Sequence, residues 1–211
     1  MIILQDGNRL ASGTKRDVYI HPHDNLKCIK VDRGVLARAE SGTNHEAAFY
    51  SYMYSKRGKV DFKALSSYYG TVQTNMGVGT VFALIRDEDT QEPSKTLYHE
   101  MLRDHSEEEK AKHSRALKTF RRKLLRDGVL CRDLAYLNVC VQKKTNGDYQ
   151  YFVIDGMGHP RYRGYSRLAT FFTMLGKIRK KKMTSYRKLK SACLNYKVSQ
   201  NRWKAWSPSQ G

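Results

Sequence analysis

The chain has 211 residues, of which 40% are hydrophobic and 28% are charged. This composition excludes an intrinsically disordered chain and indicates one domain, or two tightly packed lobes, with a buried core. No run approaches the ~18 apolar residues of a membrane span, and the first residues lack the basic and apolar regions of a secretory signal. We therefore expect a cytoplasmic protein. Its scattered cysteines favour reduced thiols over disulfides or structural zinc: they are Cys28, Cys131, Cys140 and Cys193.

Positive charge is concentrated at the end of the chain. The formal net charge is +19, and the segment after Asp155 holds 14 lysines and arginines but no acidic residue. Charge of one sign indicates a polyanionic neighbour, such as nucleic acid, an anionic membrane surface or a phosphorylated substrate. A basic solvated face is the simpler alternative, although such faces usually mix both signs.

The first half of the chain is predicted to hold two β-hairpins and one helix. Alternating apolar residues and turn signals predict strands at 17–20, 26–31, 68–74 and 80–85, with turns at 21–25 and 75–79. A helix is predicted over 44–57, with Asn44 as its candidate N-cap. The polar segment 87–97 contains Pro93 and is predicted to be a connector.

The second half is predicted to be richer in helix. Ser106 and Glu109 match a capping box at the start of a helix over 106–126. Its buried stripe would consist of Leu117, Phe120, Leu124 and Leu125. Strands at 139–142 and 149–154 are predicted to pair around Asn146-Gly147, a strong turn signal. Apolar spacing predicts further helices around 168–175 and over 184–196.

Three segments of the first half suit a site for nucleotide phosphates. Lys30 ends an apolar strand, where a lysine could neutralise the α- and β-phosphates. Glu46 shares a helix face with two apolar residues and could turn toward the sheet to pair with Lys30, although a solvated Glu46 fits almost as well. The turn before the first hairpin could cradle phosphate through the amide of Gly13 and the hydroxyl of Thr14, or it is an ordinary turn.

The strongest functional signal lies in the second half. Asp133 and Asn138 stand five residues apart after a helix, and Asp155 follows a hydrophobic strand one hairpin later. This spacing is typical of a phosphoryl-transfer site. Asp133 would deprotonate the acceptor hydroxyl, while Asn138 and Asp155 would hold Mg²⁺ against the phosphates of ATP. The alternative is an ordinary surface loop. The seven histidines show no ligand spacing, so the sequence predicts no transition-metal site.

These residues together resemble a protein-kinase-like fold, and the whole chain resembles the PhoP regulatory network family of YrbL-like proteins. The resemblance rests on Asp133 to Asn138, Asp155-Gly156, Lys30 and Glu46, on the strands around Lys27–Lys30 and Tyr68–Val72, and on the chain length. It implies an α+β, two-lobed fold that binds ATP. The N-lobe would be an antiparallel sheet over 1–86, followed by a connector over 87–97. A reduced, mainly helical C-lobe over 98–211 would carry the catalytic loop and the basic helices.

The chain departs from the usual kinase pattern at several positions. Cys131 stands in place of the histidine before Arg132-Asp133, and Gly156-Met157-Gly158 follows the metal-binding aspartate in place of Phe-Gly. The glycine loop is reduced to Gly13. These departures bear on protein-substrate specificity more than on ATP binding.

Three functions are compatible with these features. The first is a kinase-like phosphotransferase acting on an anionic acceptor, such as a phosphorylated sugar, lipopolysaccharide or an acidic protein surface. The second is a pseudokinase or regulatory protein that binds nucleotide without turnover. The third is a nucleic-acid-binding protein, or one that contacts a membrane surface, through the basic residues of 161–204.

Overall fold

The computed structural model describes residues 1–13, 15–33, 42–57, 62–126 and 134–157. These residues form an α+β structure with a five-stranded antiparallel sheet, a separate two-stranded sheet and three α-helices. Several predictions lie outside the described residues, namely those for Thr14, for Asp133 and for the basic helices after residue 157. The division into two lobes stays a prediction.

The larger sheet has the strand order β1-β2-β3-β5-β4. Its strands are β1 (Arg9–Ser12), β2 (Arg16–His21), β3 (Asp24–Asp32), β4 (Tyr68–Thr74) and β5 (Gly77–Ala83). Both predicted hairpins are confirmed, as β2–β3 and β4–β5. The turn between β4 and β5 is predicted over 75–79, but in the structure only residues 75 and 76 separate the two strands. The turn is tight because Gly77 adopts a φ of +103° and because the hydroxyl of Thr74 accepts a hydrogen bond from the amide of Met76.

Successive residues of β3 point to opposite faces of the sheet, as the pleat requires. Ile29 and Val31 pack with Tyr19, Val81 and Leu4 in a small cluster on one face. On the other face, Cys28 and Phe82 join the main hydrophobic core. Lys30 is two residues after Cys28 and therefore points to the same face of the sheet. Its Nζ lies 4.5 Å from the centre of the Phe82 ring.

Helix α1 (Gly42–Arg57) packs against the core side of the sheet. The helix includes Gly42, so Asn44 lies inside it and the proposed cap at Asn44 is wrong. Tyr50 is fully buried, stacks on Tyr68 with ring centres 5.2 Å apart, and donates a hydrogen bond to the carbonyl of Ser66 at 2.6 Å. These contacts fix which face of α1 meets the sheet.

The second half contains α2 (Leu97–Met101), α3 (Glu107–Arg126), β6 (Val139–Lys143) and β7 (Tyr149–Val153). The capping box is confirmed: the amide of Ser106 donates to Glu109 at 2.9 Å, and the amide of Glu109 donates to the Ser106 hydroxyl at 3.2 Å. The predicted stripe of α3 is buried at Leu117, Phe120 and Leu124. The β6–β7 hairpin is also confirmed.

Backbone contacts tie the two sheets together. The amide of Ser66 donates to the carbonyl of Val153 at 3.0 Å, and the amide of Val153 donates to the carbonyl of Ala64 at 2.8 Å. The predicted connector also forms bridges between Arg86 and Pro93 and between Thr96 and Cys140. Residue Leu97, placed at the end of that connector, instead begins α2. None of the helices in the described ranges has the length and apolar character of a membrane span.

Candidate functional site

Lys30 lies at the centre of a buried polar cluster under the larger sheet. Its Nζ is 3.1 Å from Oε2 of Glu46, and it donates to the carbonyl of Ile154 at 2.6 Å. Only 5% of the residue is exposed. The predicted pair between Lys30 and Glu46 is therefore formed, and it places the ammonium group at the residue that precedes Asp155.

Glu46 is held in place by helix α1. It shares a face with Tyr50 and Met53, as the spacing predicts, and all three are buried. Burial raises the pKa of Glu46, and the neighbouring Asp155 raises it further, while Lys30 and Arg16 act in the opposite direction. A solvated Glu46 is thereby excluded. The carboxylate instead spans two cations from different strands.

Asp155 lies two residues after the end of β7 and is paired with Arg16. The Arg16 Nη2 atom lies 2.5 Å and 2.6 Å from the two carboxylate oxygens of Asp155. The other terminal nitrogen, Nη1, donates to Glu46 at 2.7 Å. Although burial acts to raise it, the cations of Lys30 and Arg16 hold the pKa of Asp155 well below its ordinary value.

Arg16 thus joins both carboxylates. Burial acts to lower its pKa, but Glu46 and Asp155 outweigh burial and raise it. The side chain of Arg16 is 14% exposed. Arg16 donates to both carboxylate oxygens of Asp155, the atoms with which that residue is predicted to bind Mg²⁺. Sequence reasoning missed this contact because Arg16 and Asp155 are 139 residues apart and no local pattern joins them.

Asn138 ends a short 3-10 helix over Tyr136–Asn138 and immediately precedes β6. Its carbonyl accepts a hydrogen bond at 2.9 Å from the amide of Ile154. The backbone of Asn138 therefore lies beside the residue before Asp155. The structure brings Lys30, Glu46, Asp155 and the backbone of Asn138 to one region, while Asp133 lies outside the described residues.

Gly13 forms part of the turn that leads to Arg16. Its amide donates to the carbonyl of Arg16 at 2.8 Å, and its carbonyl accepts from Arg33 at 3.1 Å. A Cβ at Gly13 would lie 3.2 Å from the carbonyl oxygen of Arg16, which explains a small residue there. This turn sets the start of β2 and hence the position from which Arg16 reaches Asp155. Thr14, the other predicted phosphate contact, lies outside the described residues.

The buried thiols do not join this chemistry. Cys28 and Cys140 are both free and buried. Burial raises the pKa of Cys28 to about 11 and that of Cys140 to about 12. Both thiols are therefore protonated at neutral pH. The expectation of reduced thiols for Cys131 and Cys193 lies outside the described residues.

Comparison with known proteins gives a consistent family assignment. The sequence model described as "PhoP regulatory network protein YrbL" matches residues 2–193. The chain is 30% identical over 161 residues to the "Uncharacterized protein YrbL" of Escherichia coli K12, covering 75% of this chain and 74% of that protein. The protein of the same name from Shigella flexneri matches with the same identity and coverage.

Among solved structures, the chain matches the kinase domain of PknI from Mycobacterium tuberculosis with a TM-score of 0.45 and 13% identity. The match covers 71% of this chain and 57% of that kinase domain.

Proposed function

We propose that this chain, which belongs to the YrbL family of PhoP regulatory network proteins, binds ATP and Mg²⁺ and transfers the γ-phosphoryl group to a hydroxyl of an anionic acceptor. The observation that carries the proposal is the buried pair of Lys30 and Glu46 beside Asp155. A lysine on a sheet, oriented by a helix glutamate and set next to an aspartate at a strand end, is the arrangement that holds a triphosphate in kinases.

Lys30 would supply the positive charge for the α- and β-phosphates. Because Glu46 contacts Nζ at 3.1 Å, the ammonium group is held in place before any nucleotide arrives. Lys30 does not have to be ordered when ATP binds, so less conformational entropy is lost. Its Nζ also keeps a hydrogen bond to the carbonyl of Ile154, which fixes its distance from Asp155.

The donor atoms near Asp155 suit a magnesium ion. Mg²⁺ prefers oxygen ligands and is usually bound through one or two carboxylates together with substrate phosphates. Asp155 offers two carboxylate oxygens, and its depressed pKa keeps them ionised at neutral pH. Asn138 would add an amide oxygen from the adjacent turn. When bound, the ion would neutralise charge on the transferred phosphoryl group.

Asp133 would act as the general base of the reaction. It stands five residues before Asn138 in the sequence, and in this role it would accept the proton of the acceptor hydroxyl. The acceptor would be a phosphorylated sugar, lipopolysaccharide or an acidic protein surface, held by the basic segment 161–204.

Arg16 favours a second candidate, a regulatory protein that binds nucleotide without turnover. Its guanidinium group already neutralises both oxygens of Asp155, the position where a metal would bind. If Arg16 remained there with nucleotide bound, Asp155 could not coordinate Mg²⁺ and phosphoryl transfer would fail. The two functions therefore differ in one contact, that between Arg16 and Asp155.

The test is ATP binding to the full chain, with and without Mg²⁺, measured by isothermal titration calorimetry. We expect Lys30→Ala and Asp155→Ala to weaken binding at least about tenfold, since each removes a charged contact. Lys27→Ala is the matched control for Lys30, because Lys27 lies on the same strand but pairs with Asp24 at the surface. Equal ATP affinity in wild type and both site variants would contradict the proposal.

Turnover separates the two candidate functions. The chain is incubated with labelled ATP, Mg²⁺ and a lysate fractionated into protein, lipopolysaccharide, RNA and small molecules. If wild type labels one fraction and Asp133→Asn does not, the result supports phosphotransfer, and the labelled fraction gives the class of the acceptor. ATP binding with no label in any fraction supports the regulatory candidate. RNA binding that weakens steeply with salt, without ATP binding, would instead favour the nucleic-acid alternative.

A further inference from the structure

A second buried polar cluster lies away from Lys30, where α2 meets α3. It consists of Glu100 in α2, His105 in the loop that follows and His113 in α3. One carboxylate oxygen and one ring nitrogen from each histidine all lie within 4.8 Å of one another. The three residues are 1%, 8% and 2% exposed. No role in nucleotide chemistry accounts for this cluster.

The carboxylate of Glu100 is not satisfied by hydrogen bonds. Within the described part of the chain, neither oxygen accepts one, although both are inaccessible to solvent. Two cations face it: Arg103 Nη2 at 3.3 Å and Lys143 Nζ at 3.9 Å. A buried carboxylate without hydrogen bonds is costly, and the cost falls when the group binds a metal ion.

The ring of His105 is oriented as in a metal ligand. Its Nε2 atom is 2.7 Å from the backbone carbonyl oxygen of Glu100. A carbonyl oxygen only accepts hydrogen bonds, so Nε2 is the donor of this contact and Nδ1 is the ring nitrogen that would bind a metal. Metal-binding histidines usually donate their other N–H to such a carbonyl. The Nδ1 atom also lies 4.0 Å from Oε1 of Glu109, a further oxygen donor beside the cluster.

His113 is held by two tyrosines of β7. Its Nδ1 atom is 2.6 Å from the hydroxyl of Tyr151, and its ring stacks on Tyr149 with centres 3.9 Å apart. The rings of His105 and His113 meet edge to face at 4.9 Å.

We propose that Glu100, His105 and His113 form a binding site for a divalent transition-metal ion, with zinc as the preferred ion. Two imidazole nitrogens and one carboxylate oxygen are a ligand set used for zinc, whereas Mg²⁺ and Ca²⁺ take oxygen ligands only. At Zn–N distances of ~2.0 Å, tetrahedral ligands are ~3.3 Å apart, so no pair of ligand atoms within 4.8 Å would have to approach by more than ~1.5 Å. The fourth ligand would be Glu109 Oε1 or a water molecule.

The bound ion would crosslink α2, the loop that follows it and α3. Glu100 belongs to a helix of five residues, and His113 lies in the middle of the long helix α3. A metal shared by both would fix α2 and the following loop against α3 and β7. The burial of all three ligands supports a structural role for the ion, even though two histidines with one glutamate also occur at catalytic zinc sites.

The test measures binding of zinc alone to the chelator-treated full chain. We expect one equivalent per chain by calorimetry, a higher melting temperature with zinc, and a Co²⁺ absorption spectrum of tetrahedral intensity. His113→Gln and Glu100→Gln should each weaken binding about 100-fold or more. Tyr151→Phe keeps all three ligands but loses the hydrogen bond to His113, and should weaken binding about 10- to 100-fold.

His99→Gln is the matched control, because His99 lies on α2 next to Glu100 but is exposed and bonded to Thr96. It should bind zinc as the wild type does. X-ray absorption of the unmutated zinc-loaded chain gives a second readout that does not depend on any variant folding, and two imidazoles should appear in the ligand shell. Absence of stoichiometric zinc, a ligand shell without two imidazoles, or equal affinity in folded His113→Gln would overturn the proposal.

Discussion

Replacement of Arg16 by alanine is the most informative perturbation of the candidate nucleotide site. In the structure, Arg16 covers both carboxylate oxygens of Asp155, at 2.5 Å and 2.6 Å. A magnesium ion can use these oxygens only after the guanidinium group has left. If Arg16 blocks the site, its removal should therefore tighten the binding of ATP in the presence of Mg²⁺.

The magnitude follows from the contact that must be broken. A hydrogen bond to a charged group contributes ~1.5–3 kcal/mol. The carboxylate of Asp155 is 34% exposed, so we count the two short contacts as one such bond. Since 1.4 kcal/mol corresponds to a factor of ten, Arg16→Ala should lower the Kd for ATP with Mg²⁺ by about 10- to 100-fold. Without Mg²⁺ the affinity should change much less.

The assay is calorimetric titration of ATP into wild type and Arg16→Ala at several magnesium concentrations. Arg9→Ala is the matched control, since Arg9 is an arginine of the same sheet that pairs with Asp6 at the surface at 3.5 Å. Weaker ATP binding in Arg16→Ala would refute the reasoning, because Arg16 would then be a phosphate ligand. Circular dichroism checks that the variant, which leaves Glu46 paired with Lys30 alone, remains folded.

Three further predictions concern stability. Gly79→Ala should lower the free energy of unfolding by ~1–3 kcal/mol in urea titrations, because the new Cβ would lie 2.5 Å from Cγ2 of Ile29. Ser106→Ala should lower it by ~1 kcal/mol through loss of the capping box at α3. His113 has a folded-state pKa of about 4, below its ordinary value of 6.5. The unfolded chain therefore binds the extra proton between these pH values, and the metal-free protein should lose ~2–3 kcal/mol of stability as the pH falls from about 6.5 to about 4.

Each stability prediction has its own control. Gly7→Ala should be nearly neutral by comparison, because nothing lies within 4 Å of its added Cβ. Ser55→Ala removes an exposed serine hydroxyl from α1 and should change stability by less than ~0.5 kcal/mol. In His113→Gln the loss of stability toward low pH should become shallower. An unchanged pH profile in that variant would show that other groups cause the loss.

Local signals account for the parts of the fold that the sequence predicts well. Asn146-Gly147 specifies the β6–β7 turn, and Ser106 with Glu109 specifies the start of α3. Each signal involves residues a few positions apart, so its structural meaning depends little on the rest of the chain. Helix α2 carries no such signal. At five residues it is too short to be stable alone, and burial of Leu97, Glu100 and Met101 maintains it.

The candidate sites likewise contain some residues whose contacts the sequence predicts and others whose contacts it does not. The position of Glu46 follows from its helix face, and the pair with Lys30 follows from the adjacent strand. Arg16 could not be predicted, because its partners come from α1 and from the end of β7. The same holds for Glu100, His105 and His113, whose spacing fits no single helix face or known ligand motif. Only the packing of α2, α3 and β7 brings them together.

The bridges between the two sheets bear on how the protein unfolds. Segment 64–66 donates and accepts hydrogen bonds with Val153 of β7, and the main core includes both Phe82 of β5 and Tyr151 of β7. The hairpin cannot detach without exposing that shared interior. Amide hydrogen exchange should therefore give Val153 and Phe82 the same opening free energy, as expected for one cooperative unit.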